Sequence, residues 1–272
     1  MYMIDIKSGV INCLKYKLFF GKVFIMKVLI TGASSGIGLS MAKYFDKLGY
    51  DLVLVSREKK KFNNIKFNNI VEIFCTDIGK FDNCISLFNK YKDIDILVNN
   101  AGFGLFGEFY NTDLDKELNM IDVNVRALHI LTKLYLEEMI KRDSGHILNI
   151  GSIAGFMPGP LMDTYYATKN YVVKLSQGIK EELRRKKSNV FIHILCPGPV
   201  KTNFDNVAGV SFSLKGMDSD YVAKYAIDKM LKGKFIIIPG FSIRILRFIS
   251  KIVPDFLLIR MVYNSQKRKR DN

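Results

Sequence analysis

A glycine-rich segment between a strand-like run and a helical pattern constrains the fold of this chain more than any other feature. Lys27–Thr31 is largely apolar and rich in β-branched residues, and the sequence Gly-Ala-Ser-Ser-Gly-Ile-Gly follows at 32–38. Glycines in such a turn allow a tight bend, close approach of the backbone to a ligand, and close helix–strand packing. A helix that begins there presents free N–H groups and a positive dipole end to an anion. The segment predicts a βα turn that binds a dinucleotide diphosphate through Gly32, Ser34, Ser35, Gly36, Ile37 and Gly38.

Strand-like runs alternate with helical patterns from residue 27 to about residue 240. Further strands are expected at Asp51–Val55, Val71–Cys75, Asp95–Val98, His146–Ile150, Val190–Leu195 and Lys234–Ile238, and helices at about Ile37–Leu48 and Leu114–Lys141. Continuous apolar strands that alternate with helices are typical of a parallel sheet covered on both faces. The pattern predicts an α/β chain with a single Rossmann domain at 27–240. Its doubly wound parallel sheet should have about seven strands flanked by helices.

The cysteines and histidines are scattered and form no metal-ligand pattern: Cys13, Cys75, Cys84, Cys196, His129, His146 and His193. This spacing argues against a disulfide framework and a zinc site, and it fits a reducing compartment. We therefore expect no metal and a cytoplasmic protein. His146 and His193 lie in strand-like runs, where packed histidines are the simpler interpretation.

The formal net charge is +15 over 272 residues, which favours anionic partners such as phosphates or an acidic membrane face. Part of it lies in the basic runs Lys59–Lys61 and Lys267–Arg270, which a solvated loop and a frayed tail explain equally well. No RNA-binding motif or helix-turn-helix pattern accompanies the charge, so we expect no nucleic-acid partner. No run of 18 uncharged apolar residues is present, so no ordinary membrane-spanning helix is expected.

The two ends of the chain differ from its centre. Residues 1–26 are interpreted as an N-terminal extension of the domain. Within it, Met1–Ile25 is apolar and basic and is a weak signal-peptide candidate, and Met26 is the expected natural start. Residues 241–272 alternate apolar and basic side chains around Pro254. This C-terminal segment fits either a helix pair that covers a substrate cleft or an amphipathic segment in peripheral contact with a membrane.

A tyrosine and a lysine four residues apart lie thirteen residues beyond Ser152. The spacing of Tyr165 and Lys169 places both side chains on one face of a helix. A free phenol titrates near pH 10, and a neighbouring ammonium favours the phenolate, which predicts a pKa lowered toward the working range. The Tyr-x-x-x-Lys spacing is common on helices, so its weight depends on the motifs around it.

The second strand ends in Ser56-Arg57. Dinucleotide folds that take a ribose without a 2′-phosphate usually place an acidic residue near this point. A guanidinium binds a phosphate bidentately, so Arg57 favours NADP(H) over NAD(H). A solvated arginine at the strand end is the alternative.

With these motifs in order, the chain resembles the short-chain dehydrogenase/reductase family from about Lys27 to Gly240. The resemblance rests on the glycine turn and on Asp77, Asn99–Gly102, Asn124, Ser152, Tyr165, Lys169 and Cys196-Pro197-Gly198-Pro199-Val200-x-Thr202. Gly151 is a mild departure, because the family often has a serine there. The stretch at 196–204 and the basic apolar tail resemble the bacterial DltE-type reductases of the family.

The resemblance implies a role for each of these positions. Ser152 would polarise the substrate oxygen, Tyr165 would transfer the proton, Lys169 would bind the nicotinamide ribose and lower the Tyr165 pKa, and Asn124 would hold a water of a proton relay. The remaining cofactor contacts would come from Asp77, Ile78, Asn100, Ala101, Gly102, Pro197, Gly198, Val200 and Thr202. The family commonly pairs through the helices that hold Asn124 and Tyr165, so a homodimer or homotetramer is expected.

The expected activity is reversible NADP(H)-dependent reduction of a carbonyl to an alcohol. An apolar or lipid-like ketone or aldehyde is the expected substrate, because a loop at 203–218 could act as a lid and apolar residues that could line a pocket follow Gly102 and Gly155. These apolar residues are Phe103, Leu105, Phe106, Phe156 and Met157. The alternative is a catalytically idle NADP(H)-binding sensor or a membrane-surface scaffold. The intact Ser152, Tyr165, Lys169 and Asn124 argue against it.

Overall fold

The computed structural model describes residues 16–19, 22–202, 204, 208 and 216–267. Within them, seven strands form one parallel sheet in the order β5-β4-β3-β6-β7-β8-β9. They are β3 (Lys27–Thr31), β4 (Asp51–Ser56), β5 (Val71–Cys75), β6 (Ile96–Asn99), β7 (Gly145–Ile150), β8 (Val190–Leu195) and β9 (Ile236–Ile237). A separate antiparallel pair, β1 (Tyr16–Phe19) and β2 (Lys22–Ile25), precedes this sheet. The predicted single parallel sheet of seven strands is confirmed.

Helices cover both faces of the sheet. They are α1 (Gly36–Lys47), α2 (Phe81–Lys90), α3 (Leu114–Ile121), α4 (Leu128–Lys141), α5 (Asp163–Arg185), α6 (Ser219–Leu231), α7 (Phe241–Ile252) and α8 (Asp255–Lys267). Alternate residues of a strand point to opposite faces. Val28 and Ile30 accordingly pack in the core under α1 and α6, while Leu29 packs in the second core under α2 and α4. This is the doubly wound architecture that the sequence predicts.

The strand order reverses between β3 and β6, because the chain leaves β3 toward β4 on one side and continues from β6 toward β7 on the other. In open α/β sheets, ligands bind in the crevice at such a reversal, outside the carboxyl ends of the strands. The glycine turn follows β3 and the Asn99–Gly102 segment follows β6. Both motifs therefore lie at the edge where a ligand is expected.

Several predicted boundaries change. The helix expected at Leu114–Lys141 is divided into α3, a π-helical segment at Asp122–Ala127, and α4. Each predicted strand is present with its ends within about two residues of the prediction, and β9 is the shortest. Most of the loop predicted to act as a lid lies outside the described residues.

Candidate active site

The turn between β3 and α1 has no room for a Cβ atom at its three glycines. Gly32 and Gly36 adopt positive φ angles of 64° and 52°, a region that L-residues with side chains rarely occupy. A Cβ atom at Gly36 would lie 2.9 Å from the Thr202 methyl carbon, and one at Gly38 would collide with the Asn100 amide and the Gly32 carbonyl. Ser35 precedes α1 in an extended conformation and makes no side-chain cap hydrogen bond. The first N–H groups of α1 are thus available to an anion.

The Thr31 hydroxyl ties the segment after β6 to this turn. It accepts hydrogen bonds from the backbone N–H groups of Asn100 at 3.0 Å and Ala101 at 3.1 Å. In return, the Asn100 amide donates to the carbonyls of Thr31 at 2.9 Å and Gly32 at 3.1 Å. These four bonds fix the two loops against each other. Thr31 is not among the residues predicted to form the site.

The residues expected at the adenine end lie beyond β4 and β5. Arg57 is exposed directly after β4. The Asp77 carboxylate accepts a 3.0 Å hydrogen bond from the Gly79 N–H, and Ile78 is buried beside it. The backbone of Thr76 donates to the Ser56 carbonyl at 3.0 Å. The two strand ends are therefore joined next to the exposed guanidinium.

Ser152, Tyr165 and Lys169 come together at the carboxyl end of β7. The hydroxyls of Ser152 and Tyr165 are hydrogen-bonded to each other, and the Ser152 oxygen also accepts from the Ala154 N–H at 3.1 Å. The Lys169 ammonium lies 5.8 Å from the centre of the Tyr165 ring and donates to the Ile150 carbonyl at 2.9 Å. The spacing along α5 thus delivers the phenol and the ammonium to one place.

Burial governs the titration of this cluster. It raises the pKa of Tyr165 to about 12, and the hydrogen bond to Ser152 opposes that rise. Burial also lowers the pKa of Lys169 to about 8. The pKa of Tyr165 is thus raised rather than lowered as predicted, and burial of the phenol is the largest cause of the shift. Tyr165 is therefore protonated at neutral pH.

Asn124 lies in the π-helical segment and is almost fully buried. Its amide nitrogen donates to the Phe103 carbonyl at 2.9 Å and to the Thr168 hydroxyl at 3.2 Å, and its oxygen accepts from the Phe103 N–H at 3.1 Å. A Cβ atom at Gly102 would lie 2.8 Å from the Asn124 oxygen and 3.5 Å from the Lys169 nitrogen. Asn124 and Lys169 thus flank the same glycine, and π segments of this kind are frequent at functional sites.

The segment after β8 closes the same edge of the sheet. The Pro197 carbonyl accepts a 2.9 Å hydrogen bond from the Ile153 N–H. Val200 forms an isolated parallel bridge with Met217. A Cβ atom at Gly198 would lie 2.5 Å from the Ile243 side chain of α7. These contacts place the predicted Pro197–Thr202 segment between the cluster of Ser152, Tyr165 and Lys169 and the C-terminal helices α7 and α8.

An apolar wall stands beside Tyr165. The Phe204 ring centre lies 5.4 Å from that of Tyr165, and a Cβ atom at Gly104 would lie 2.7 Å from Phe204 and 3.2 Å from Met162. The Phe106 N–H donates to the Ala208 carbonyl at 3.1 Å. Of the residues predicted to line the pocket, Phe106 belongs to this wall. Met157, by contrast, packs under α8 with Leu258 and Val262.

Residues 241–267 contain the helix pair α7 and α8, which packs beside the site. Arg247 of α7 lies over the Phe156 ring at 4.7 Å. Gln266 of α8 donates a 2.6 Å hydrogen bond to the Tyr166 hydroxyl. Neither contact could be predicted from the sequence, because helical spacing indicates which face of a helix is buried but not which residues that face contacts.

The chain is similar to known proteins across this region. The family model described as short chain dehydrogenase matches residues 26–209. An oxidoreductase of Staphylococcus saprophyticus is 33% identical over 213 residues, which are 74% of this chain and 90% of that protein. A very-long-chain 3-oxoacyl-CoA reductase of Anas platyrhynchos is 30% identical over 200 residues, covering 68% of this chain and 62% of that one. A solved short-chain dehydrogenase of Sphingobium yanoikuyae in complex with NADPH is 31% identical, with a TM-score of 0.74 over 80% of this chain and 89% of that chain.

Proposed function

The chain belongs to the short-chain dehydrogenase/reductase family of NAD(P)-dependent oxidoreductases, and on that premise we propose that it reduces a carbonyl to an alcohol reversibly with NADP(H). The observation that carries the proposal is the cluster of Ser152, Tyr165 and Lys169 at the edge of the sheet that also holds the glycine turn. The activity resides in the Rossmann domain, residues 27–240, which residues 1–26 precede and 241–272 follow.

The residues present fit a dinucleotide. The turn excludes Cβ atoms at Gly36 and Gly38 and leaves the N-terminus of α1 without a side-chain cap, as a diphosphate site requires. When bound, a nicotinamide dinucleotide supplies the hydride. The residues proposed to hold it are those of the glycine turn together with Arg57, Asp77, Ile78, Asn100, Ala101, Gly102, Tyr165, Lys169, Pro197, Gly198, Val200 and Thr202.

The catalytic cluster is suited to donating a proton. Ser152 and Tyr165 present hydroxyls to one point, where they can stabilise the negative charge that develops on a carbonyl oxygen. Because burial raises the Tyr165 pKa to about 12, the phenol holds its proton at neutral pH and can release it to that oxygen. In the reverse direction the Tyr165 side chain, as the phenolate, accepts the proton of the alcohol hydroxyl. Lys169 and Asn124, which flank Gly102, are proposed to support the return of a proton to Tyr165, and Lys169 would also hold the nicotinamide ribose.

Arg57 supports the choice of NADP(H). Its guanidinium is exposed after β4, where a 2′-phosphate would be recognised. The next residue, Glu58, forms its salt bridge with Lys61 at 2.9 Å.

The apolar wall beside Tyr165 supports an apolar or lipid-like substrate. Phe204, Met162 and Phe106 surround the phenol, and one relative is a very-long-chain 3-oxoacyl-CoA reductase. Apolar walls of this kind select by size and burial rather than by polar contacts. We propose a small-molecule ketone or aldehyde with an extended apolar body.

A second apolar surface supports self-association. Phe109, Tyr110, Leu114, Leu118 and Tyr171, on and beside α3 and α5, are exposed. A groove of about 410 Å³ is lined by Phe109 together with residues of the neighbouring helices, among them Ile121 and Val125. We propose a homodimer or homotetramer that covers this face.

For the location we propose the cytoplasm, with peripheral contact of residues 241–272 to a membrane. Among the described residues, no helix is long and apolar enough to cross a membrane.

The proposed function is tested by following NADPH oxidation with a panel of apolar ketones and aldehydes. The wild-type protein should turn over at least one of them. Tyr165→Phe should abolish most of that turnover and leave NADPH binding unchanged, because the aromatic ring remains and only the proton donor is lost. Near-normal turnover by Tyr165→Phe would overturn the assignment. NADPH binding without turnover of any carbonyl would favour the catalytically idle sensor.

A further inference from the structure

The C-terminal helix pair, α7 and α8, has an inner and an outer face. The inner face packs on the domain: Ile243 meets Gly198, and Leu258 and Val262 are buried with Met157. The outer face of α7 consists of Phe241, Ile245, Phe248 and Ile252, which are exposed and recur every three or four residues. This spacing places them in one stripe along the helix.

Exposed apolar side chains are concentrated on this pair. Among the described residues, twenty large apolar side chains are exposed, and nine of them lie between positions 241 and 263. Five of the nine belong to α8: Phe256, Leu257, Ile259, Met261 and Tyr263. Such a concentration of exposed apolar side chains on one part of a chain is typical of a binding site rather than of ordinary solvent exposure.

Cations border the apolar surface. Lys251, Arg260 and Lys267 are exposed on the pair, and residues 241–272 contain eight basic and two acidic residues in the sequence. Exposed apolar side chains bordered by cations are the pattern of helices that lie in the interface of an anionic bilayer.

We propose that the outer face of α7 and α8 docks on the surface of an anionic lipid bilayer, with Phe248 and Ile252 inserted at the level of the headgroups. The inference specifies the face and the lipid charge behind the peripheral contact proposed for residues 241–272, and it does not depend on the reaction. A second copy of the chain fits this face less well. A two-fold contact brings the same surface of both copies together, so the interface would gather the basic residues of two chains with few acidic residues to balance them.

The absence of tryptophan from the sequence allows a direct test in the full chain. Phe248→Trp introduces a single fluorescent reporter on the proposed docking face. Ile70→Trp is the matched control, because Ile70 and Phe248 are both 65% exposed and Ile70 lies beside β5, at the opposite edge of the sheet. With vesicles of equimolar phosphatidylcholine and phosphatidylglycerol, the indole emission of the Phe248→Trp variant should shift to the blue and be quenched by brominated lipid. The emission of the Ile70→Trp variant should not change.

Vesicle co-sedimentation measures how much the apolar side chains and the cations of this face each contribute to membrane binding. Phe248→Glu should weaken binding at least about tenfold, because it removes an inserted phenyl group, whereas Ile70→Glu should not. Lys251→Glu with Arg260→Glu should also weaken binding, in contrast to Lys43→Glu with Lys232→Glu on exposed parts of the domain. NADPH affinity should be the same in all of these variants, which separates this surface from the reaction.

Three outcomes would overturn the proposal. The first is an unchanged emission of the Phe248→Trp variant with anionic vesicles, even if the protein sediments with them. The second is equal binding to pure phosphatidylcholine vesicles. The third is a blue shift that appears without vesicles as protein concentration rises, which would assign the face to a second copy of the chain.

Discussion

The side chain of Gln266 donates a 2.6 Å hydrogen bond to the hydroxyl of Tyr166. Gln266 is buried in the last helix, one hundred residues along the chain from its partner. Tyr166 is the neighbour of Tyr165, and the two rings meet edge to face with their centres 6.1 Å apart. The C-terminal helix pair is therefore attached to the helix that supplies the proposed proton donor.

Replacing this glutamine should destabilise the protein. Gln266→Leu leaves the Tyr166 hydroxyl without this donor in a largely apolar setting, which should cost about 1–3 kcal/mol in the free energy of unfolding. The measurement is urea denaturation followed by circular dichroism. Tyr166→Phe combined with Gln266→Leu should recover part of the loss, because both partners are then apolar. A double variant as unstable as the sum of the two single variants would show that the hydrogen bond contributes no coupling.

The glycine turn gives a second prediction. Gly38→Ala should abolish NADPH binding and lower the free energy of unfolding, because its Cβ would collide with the Asn100 amide and the Gly32 carbonyl. Gly178→Ala is the control, since its Cβ would meet no atom within 4 Å in the middle of α5. That variant should gain about 0.5–1 kcal/mol of stability, as alanine replaces glycine in a helix. Isothermal titration with NADPH and urea denaturation separate the two effects, and equal behaviour of both variants would contradict the argument.

Local patterns predicted the sheet and the turn at its edge. The apolar run at Lys27–Thr31 and the glycines after it determine the turn through sterics that operate within a few residues. The four-residue spacing of Tyr165 and Lys169 likewise determines that they share a helix face. Such features depend on neighbouring residues, so they can be derived before the tertiary structure is known.

Features that depend on distant partners could not be predicted in this way. The contact of Gln266 with Tyr166 is one. Another is the buried network in which Asn99 donates to Thr132 and Asn149, while Asn149 donates to Ser176. The rise in the Tyr165 pKa, where a decrease was predicted, has the same origin. Spacing revealed the ammonium beside the phenol, but the desolvation that dominates the shift comes from the packing of the whole site.

Arg57 should discriminate between the two nicotinamide dinucleotides. Arg57→Gln should raise the dissociation constant for NADPH about ten- to a hundredfold, because a charge-assisted contact to the 2′-phosphate is lost. The dissociation constant for NADH should be nearly unchanged. Both are measured by fluorescence titration of the reduced cofactor.

The control is Arg185→Gln, since Arg185 is exposed near the C-terminus of α5 and pairs with Glu181. It should leave both dissociation constants as they are. A wild-type protein that binds NADH more tightly than NADPH would overturn the proposed cofactor preference.

The buried histidine pair should make the protein sensitive to acid. His193 donates from Nδ1 to the Lys234 carbonyl at 2.8 Å, so its Nε2 is the acceptor in the 3.1 Å contact with His146 Nδ1. Both rings are neutral at pH 7, because burial lowers the pKa of each well below its usual value. Burial lowers the pKa of His146 to about 4, and burial together with the charge of His146 lowers that of His193 to about 3.

The sign of the effect follows from proton binding. Below pH 6.5 these two histidines bind protons in the unfolded chain but not in the folded protein. The free energy of unfolding therefore falls as the pH decreases from 6.5 toward about 4. The slope should approach about 1.4 kcal/mol per pH unit for each histidine. Urea denaturation between pH 7.5 and pH 4.5 measures it. His146→Gln with His193→Gln should flatten the dependence, whereas His129→Gln, at an exposed position, should retain it. An equal slope in the wild type and the double variant would show that other groups control the acid response.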